Sequence, residues 1–314
     1  MSEAGTALAA WGGGRIVRFL KDRENAVYEV ILPDGTRAAL RLHRVGYQTV
    51  QAIQSELWWM QALARGGLAV PMPIETVSGK LVSVGKRTAT VIEWVPGDPL
   101  GEAGKPLGGS PQERFAQFRT VGALVAGIHN ATDSLTPPPG FTRHAWDVEG
   151  LLGERPFWGR FWENPTLSGP ERDLVMAARE MARDRLLEFS ATGGDYGLIH
   201  ADVLRENVLF SGETVSIIDF DDCGFGFRLY DLATLASQNE DEPEYEVLMA
   251  AATEGYRSER ALADADIALI PLFLMLRRFA SCGWVVDRSA VGDPRIRIYA
   301  ERAVKAAYEY LYFT

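Results

Sequence analysis

Cysteine is nearly absent from this chain of 314 residues: only Cys223 and Cys282 occur, with no Cys-x-x-Cys pair and no clustered zinc ligands. A cysteine-based zinc site is thereby excluded, and Cys223 reads as a small packing residue. Positive charge is also in deficit. Lys and Arg number 32 against 42 Asp and Glu, and the net charge of −10 argues against a general nucleic-acid surface. No uncharged 18-residue apolar run is present, because the strongest candidate, LIPLFLMLRRF at 269 to 279, is interrupted by Arg277 and Arg278, and no membrane span is expected. The chain does not open on a basic stretch followed by an apolar one, which makes the cytoplasm the expected location. Internal repeats, heptad arrays and long low-complexity segments are missing too. What is left is a 47% apolar chain, long enough to bury a substantial core as one two-lobed protein or two domains.

The chemistry-bearing residues crowd into YGLIHADVLRENVLF at 196 to 210 and VSIIDFDDCGFGFRLYDLA at 215 to 233. Two short apolar runs, Gly197–Ile199 and Val215–Ile218, predict strands that deliver polar residues at or just beyond their ends, with the SGE at 211 to 213 as a hairpin-like connection. The order His200, Asp202, Asn207, Asp219, Asp221 suits transfer of a phosphoryl group from Mg·ATP. A leaving γ-phosphate needs its charge neutralised, and a hydroxyl nucleophile needs orientation and relief of its proton. Asp202 is the candidate base, Asn207 an amide oxygen for the metal, and Asp219 the main metal carboxylate, a hard-oxygen set that Mg²⁺ prefers. Asp221 either shares a second metal or caps the following turn. Asp222 reads as a solvated turn residue and His200 as a brace for the loop. Asp231, at the start of the apolar helix LYDLATLAS, reads as structural support that caps free N–H groups or receives bonds from the catalytic loop.

The amino-terminal third predicts three strands, at 15 to 22, 26 to 33 and 37 to 44, with Asp34-Gly35 as a tight hairpin turn. A helix is predicted from about Val50 to Ala64, striped by Ile53, Leu57, Met60 and Leu63. Arg41 on the third strand and Glu56 on that helix are expected to pair and steady the nucleotide phosphates, as a Lys–Glu pair does in protein kinases. Arg brings a planar, permanently charged fork where Lys brings a point charge. After the strand TATVIEW, the Gly/Pro-rich stretch from Pro96 marks a boundary, giving lobes at 1 to 95 and 96 to 314. Backbone groups of Ile92, Glu93, Trp94 and Val95 are candidates to receive the adenine edge. Further helices are predicted at about 111 to 131 and 172 to 189. His129 bonds to the catalytic core or is a plain core histidine. The aromatics of 141 to 164, Trp146, Trp158 and Trp162 among them, form a pocket wall or, in the preferred reading, packing. Arg277 and Arg278 are candidate anion contacts of low specificity.

IHADVLRENVLF resembles the catalytic loop of the aminoglycoside phosphotransferase and choline kinase superfamily, which usually has Gly where this chain has Ala201. IIDFDDCGFGFRLYDLA resembles that superfamily's metal-binding strand and following helix. The resemblance implies an α+β, bilobal protein-kinase-like fold: a small amino-terminal antiparallel sheet with one main helix, and a larger, mainly helical carboxy-terminal lobe. It implies ATP and Mg²⁺ as cofactors, the base role for Asp202 and the metal roles for Asn207 and Asp219. The Leu40-Arg41 third strand and ENAVYEV at 24 to 30, without a G-x-G-x-x-G loop, resemble the branch of RdoA-type stress-response kinases and type II homoserine kinases, with Asn25 as a turn residue near the triphosphate. The acceptor implied is a small-molecule hydroxyl. A seryl or threonyl protein side chain is the alternative, and a nucleotide-binding pseudokinase the non-enzymatic one.

Overall fold

The structure is a computed structural model that describes residues 2 to 22 and 25 to 313; Glu24, which opens the ENAVYEV segment, lies outside the described residues. The chain runs through α1 (Glu3–Leu8), β1 (Arg15–Asp22), β2 (Asn25–Ile31), β3 (Arg37–His43), α2 (Val50–Arg65), β4 (Pro73–Ile74), β5 (Val82–Val84), β6 (Arg87–Glu93) and β7 (Asp98–Pro99). It continues with α3 (Pro111–Asp133), β8 (Ala145–Trp146), α4 (Val148–Leu152), α5 (Gly169–Ala191), β9 (Tyr196–Ile199), β10 (Val208–Ser211), β11 (Thr214–Ile217) and β12 (Gly224–Phe227). The remainder is helical: α6 (Leu229–Ser237), α7 (Tyr245–Glu259), α8 (Asp264–Ile267), α9 (Ile270–Trp284) and α10 (Pro294–Phe313). Two compact units result. One holds the residues up to Pro99 together with Ser134–Arg143 and Val208–Asp221; the other holds Leu100–Asp133, His144–Asn207 and the residues from Asp222 on.

In the first unit the antiparallel sheet has the order β1-β2-β3-β6-β4, with β5 also on β6. The Asp34-Gly35 turn closes β2 onto β3 because Gly35 takes φ 89° and the Asp34 carboxylate accepts the Thr36 N–H at 2.9 Å. Short α1 lays Ala4, Ala7 and Leu8 on a cluster with Val30, Leu40, Leu42, Ala89 and Val91. The Thr49 hydroxyl caps α2 by accepting the Ala52 N–H at 3.1 Å. Ile53, Met60 and Leu63 of the predicted stripe are buried, but Leu57 is only partly so; Trp59 and Glu56 fill the buried face instead. The segment 134 to 143 straps α2: the Thr142 N–H donates to Ser55 Oγ at 2.9 Å, Gln51 donates to the Gly140 carbonyl at 2.6 Å, and Phe141 meets Trp58 edge to face at 5.4 Å.

In the second unit, α3 and α7 approach so closely that glycine is required on both. A Cβ on Gly122 would sit 1.9 Å from the Ala252 carbonyl oxygen, and one on Gly255 would sit 1.8 Å from that of Arg119. All nine residues of α6 are buried. The sequence 264 to 288 is long and apolar enough to cross a membrane by composition, yet 61% of its most apolar window is buried inside the protein, as in a core helix. Beside it a small sheet, β8-β12-β9, carries the catalytic-loop segment on the end of β9. The aromatic segment packs, as preferred from sequence: Trp146 is wholly buried, stacked on Tyr230 at 5.3 Å and perpendicular to Trp158 at 5.0 Å.

Candidate active site

Strand β9 ends at Ile199, and the next residues turn sharply. Ala201 adopts φ 63°, a left-handed conformation that costs an L-residue about 1–2 kcal/mol and explains why glycine suits this position. The turn is held by Asp231 in the first turn of α6. Its carboxylate accepts the Ala201 N–H at 2.6 Å, the His200 N–H at 2.9 Å and His129 Nε2–H at 3.0 Å. Burial alone would raise this carboxyl, but these donors outweigh it and hold it below the usual range. Burial pushes His129 the other way, below 6.5, so the ring is neutral near pH 7. Asp231 can only accept, which fixes the proton on Nε2 and leaves Nδ1 to accept from the Tyr256 hydroxyl at 2.8 Å. His129 therefore does bond to the catalytic core, through Asp231. His200 braces the loop by accepting the Asp202 N–H on Nδ1 at 3.2 Å.

Both oxygens of Asp202 are engaged. Asn207 Nδ2 donates to Oδ2 at 2.8 Å and to the Asp202 carbonyl at 2.9 Å, while Arg277 Nη2 donates to Oδ1 at 2.8 Å. A carboxylate needs a donor, so this contact fixes the Asn207 amide with its nitrogen toward Asp202 and its oxygen away, available as a hard ligand. Arg277 and Arg278, expected as anion contacts, are each paired with acceptors of this chain. Arg277 is committed to Asp202 and Arg278 to Glu240 and the Ser237 carbonyl, because α9 buries both guanidinium groups beside acceptors of this chain. Arg277 also lines a cavity of about 400 Å³ in this unit, together with Leu204, Arg205, Gln238 and Asp241.

In the first unit, Arg41 Nη2 donates to Glu56 at 2.6 Å, with both side chains almost fully buried. Burial opposes the Arg41 charge, but Glu56 and Asp221 outweigh it and raise its pKa. Arg143, from the strap, donates to the Ala52 carbonyl of α2 at 3.1 Å and to the Asp221 carbonyl at 2.5 Å, and lies 3.8 Å from the other Glu56 oxygen. It thus ties α2 to the Asp219–Asp221 turn, and sequence reasoning missed it. Asp219 is not on a strand. It follows β11 by two residues and takes φ 69°, a left-handed conformation that Asp tolerates better than most residues. Its Oδ2 receives Lys21 Nζ at 2.8 Å, so a cationic group already sits on this carboxylate. Asp221 is 2% exposed, with both carboxylate oxygens buried and without a hydrogen-bond partner among the described residues. Burial would raise it, but His43 at 3.7 Å and Arg41 hold it low. The buried oxygens of Asp221 and the carboxylate of Asp219 fit a divalent cation by donor chemistry. Among the described residues no group of three or more His, Cys, Asp or Glu is placed to hold a metal ion.

Two expectations are corrected by the folded chain. Asn25 is not a turn residue: it begins β2, is 5% exposed, and pairs with His43 in the β2–β3 register. Asp222 is not solvated, being 7% exposed, because β8 and β12 close over it and its carbonyl accepts from His144 and Trp146 at 2.9 Å. In the 92 to 95 stretch, the Glu93 N–H already donates to the Met72 carbonyl and the Trp94 N–H to that of Arg37.

An antiparallel sheet with a main helix in one unit and a mostly helical second unit define the protein-kinase-like architecture. The model of the family described as "Phosphotransferase enzyme family" matches residues 15 to 262, and the chain belongs to that family. A structure of a microcompartment-associated aminopropanol kinase is 31% identical, with TM-score 0.84, over 98% of this chain and 96% of that one. Amicoumacin kinase of Bacillus subtilis is 26% identical over 297 residues, covering 88% of this chain and 82% of that protein. Homoserine kinase of Rhizobium johnstonii is 29% identical over 223 residues, covering 68% of this chain and 62% of that protein. ATP-dependent phosphoryl transfer to small-molecule acceptors is the activity of the wider superfamily.

Proposed function

We propose that this protein transfers the γ-phosphate of ATP to the hydroxyl of a small amine-bearing alcohol, an amino alcohol or hydroxy amino acid. The observation that carries the reading is the tether of Asp202, whose carboxylate is fixed at both oxygens by Asn207 and Arg277. Two named relatives act on compounds that combine an amine and an alcohol, aminopropanol and homoserine. The cavity of about 400 Å³ that Arg277 lines is of small-ligand size, and its wall carries Asp241 and Glu242 among the cations Lys105, Arg205, Arg278 and Arg302.

In this reading Asp202 orients the acceptor hydroxyl and takes its proton, most of the advantage coming from positioning. Arg41, steadied by Glu56, neutralises nucleotide phosphate charge, and the backbone around Val95 receives the adenine edge, with Ile92, Glu93 and Trp94 supporting it. Asn25, at the start of β2, lies beside the nucleotide phosphates. Asn207, Asp219 and Asp221 would hold Mg²⁺, which when bound neutralises charge on the phosphate oxygens. The test is Mg²⁺-dependent ADP release with 1-amino-2-propanol, homoserine, aminoglycosides, sugars and a generic protein. Asp202→Asn should lower kcat about 10²–10⁴-fold with little change in ATP affinity. Equal turnover by the purified variant would sink the assignment.

A further inference from the structure

We infer that Arg277 is a positioning residue for phosphoryl transfer: from α9 it sets the orientation of Asp202. The inference rests on the reading of Asp202 as the residue that orients the acceptor.

Arg277 sits in the apolar run LFLMLRRFAS and is 5% exposed, a location that disfavours a charge unless it is paired. Three separate contacts use its planar fork. Nη2 donates to Asp202 Oδ1 at 2.8 Å, Nη1 donates to the Ala201 carbonyl at 3.1 Å, and the guanidinium carbon lies over the Trp158 ring, 4.7 Å from its centroid. Two adjacent loop residues are therefore gripped by one rigid group, whose plane is set by an indole that is itself packed against Trp146. Ala201 is the residue in the left-handed conformation, so the grip falls where the loop changes direction.

On the opposite side Asn207 holds Oδ2 and the Asp202 carbonyl. With donors on both oxygens, the carboxylate plane cannot rotate without breaking a charge-assisted bond. Lysine cannot reproduce this, because a single ammonium can pair with one oxygen but cannot also grip the carbonyl in a fixed plane and stack on tryptophan. The same guanidinium faces the cavity of about 400 Å³, whose wall includes Leu204 and Arg205 of the catalytic loop.

The experiment is a double-mutant cycle over Asp202→Asn and Arg277→Met, with Arg277→Lys as the conservative variant. Steady-state ADP release is measured with Mg·ATP and 1-amino-2-propanol or homoserine as probe, and urea unfolding is measured on every protein. Arg277→Met should lower kcat about 10²-fold with the KM for ATP within about threefold of wild type, and Arg277→Lys should recover part of the loss. In the Asp202→Asn background, Arg277→Met should cost less than about threefold more, since the residue it positions is already disabled. A folded Arg277→Met protein with kcat within about threefold of wild type overturns the inference, as does full additivity in the double variant. Wild-type inactivity on both probes refutes the amine-bearing acceptor rather than the contact. The contact is then decided by unfolding: coupling of about tenfold or more in the unfolding constant upholds it, and less than about twofold overturns it.

Discussion

Replacing Asp231 with asparagine keeps the shape of the side chain and removes what the loop needs from it. The carboxylate faces three donors: the Ala201 N–H on Oδ1, and the His200 N–H and His129 Nε2–H on Oδ2. An amide has one acceptor oxygen. Its better orientation leaves that oxygen in the Oδ2 position and turns the NH₂ toward the Ala201 N–H, where the original separation was 2.6 Å. One charge-assisted bond is lost, worth about 1.5–3 kcal/mol, and one buried donor is left unmet at about 1–3 kcal/mol, partly overlapping terms that together give about 2–4 kcal/mol. The damage is local, at the residue whose φ of 63° depends on that bond, so Asp202 moves with it. A displacement of about 1 Å there is worth about 10²-fold in kcat. Urea unfolding reads the first quantity, and ADP release with the acceptor found for wild type reads the second. A stability change under about 0.5 kcal/mol together with kcat within about threefold would show that Asp231 neither holds the turn nor shapes the site.

Three further outcomes are expected. Arg41→Met strands Glu56, which is 0% exposed and 3.8 Å from Arg143, and should cost about 3–5 kcal/mol in unfolding free energy while raising the KM for ATP; a loss under about 1 kcal/mol would contradict the buried pair. His129 is held below its ordinary 6.5 by burial, so below about that pH the unfolded chain binds a proton that the folded protein does not, and stability falls as pH drops toward the folded value, by up to about 1.4 kcal/mol per pH unit. His129→Gln should flatten this slope between pH 7 and 5, and an unchanged slope would refute the neutral assignment. Gly255→Ala brings a methyl 1.8 Å from the Arg119 carbonyl oxygen and should destabilise the protein by about 3 kcal/mol; a neutral result in thermal unfolding would refute the close approach of α3 and α7.

Local pattern carried much of the fold. The strand predicted at 15 to 22 is β1 itself, the Asp34-Gly35 turn closes the next hairpin, and the helices predicted at about 111 to 131 and 172 to 189 are α3 and α5, each extended by less than a turn at either end. These features rest on periodicity and turn chemistry within a dozen residues. Short pieces escaped: α1, β4 and β5 have six, two and three residues, too few to display a period. Asn25 was misjudged because its place in β2 is set by His43, eighteen positions away in the chain.

The sequence pointed to the α+β class through its family resemblance, and by its own spacing brought Asp202, Asn207, Asp219 and Asp221 forward as candidates, because these residues fall in one loop and just beyond one strand. It also determined that Arg41 and Glu56 occupy elements able to pair. Only the tertiary structure decided which charges are already spent. Arg277 reaches Asp202 across 75 residues, Arg143 reaches Asp221 across 78, and Lys21 reaches Asp219 across 198. No local pattern encodes such partners, because an arginine on an apolar helix reads the same whether it meets solvent, a ligand or a carboxylate. Burial makes the difference: once a guanidinium leaves water it must find an acceptor, and the fold alone determines which acceptor lies within reach.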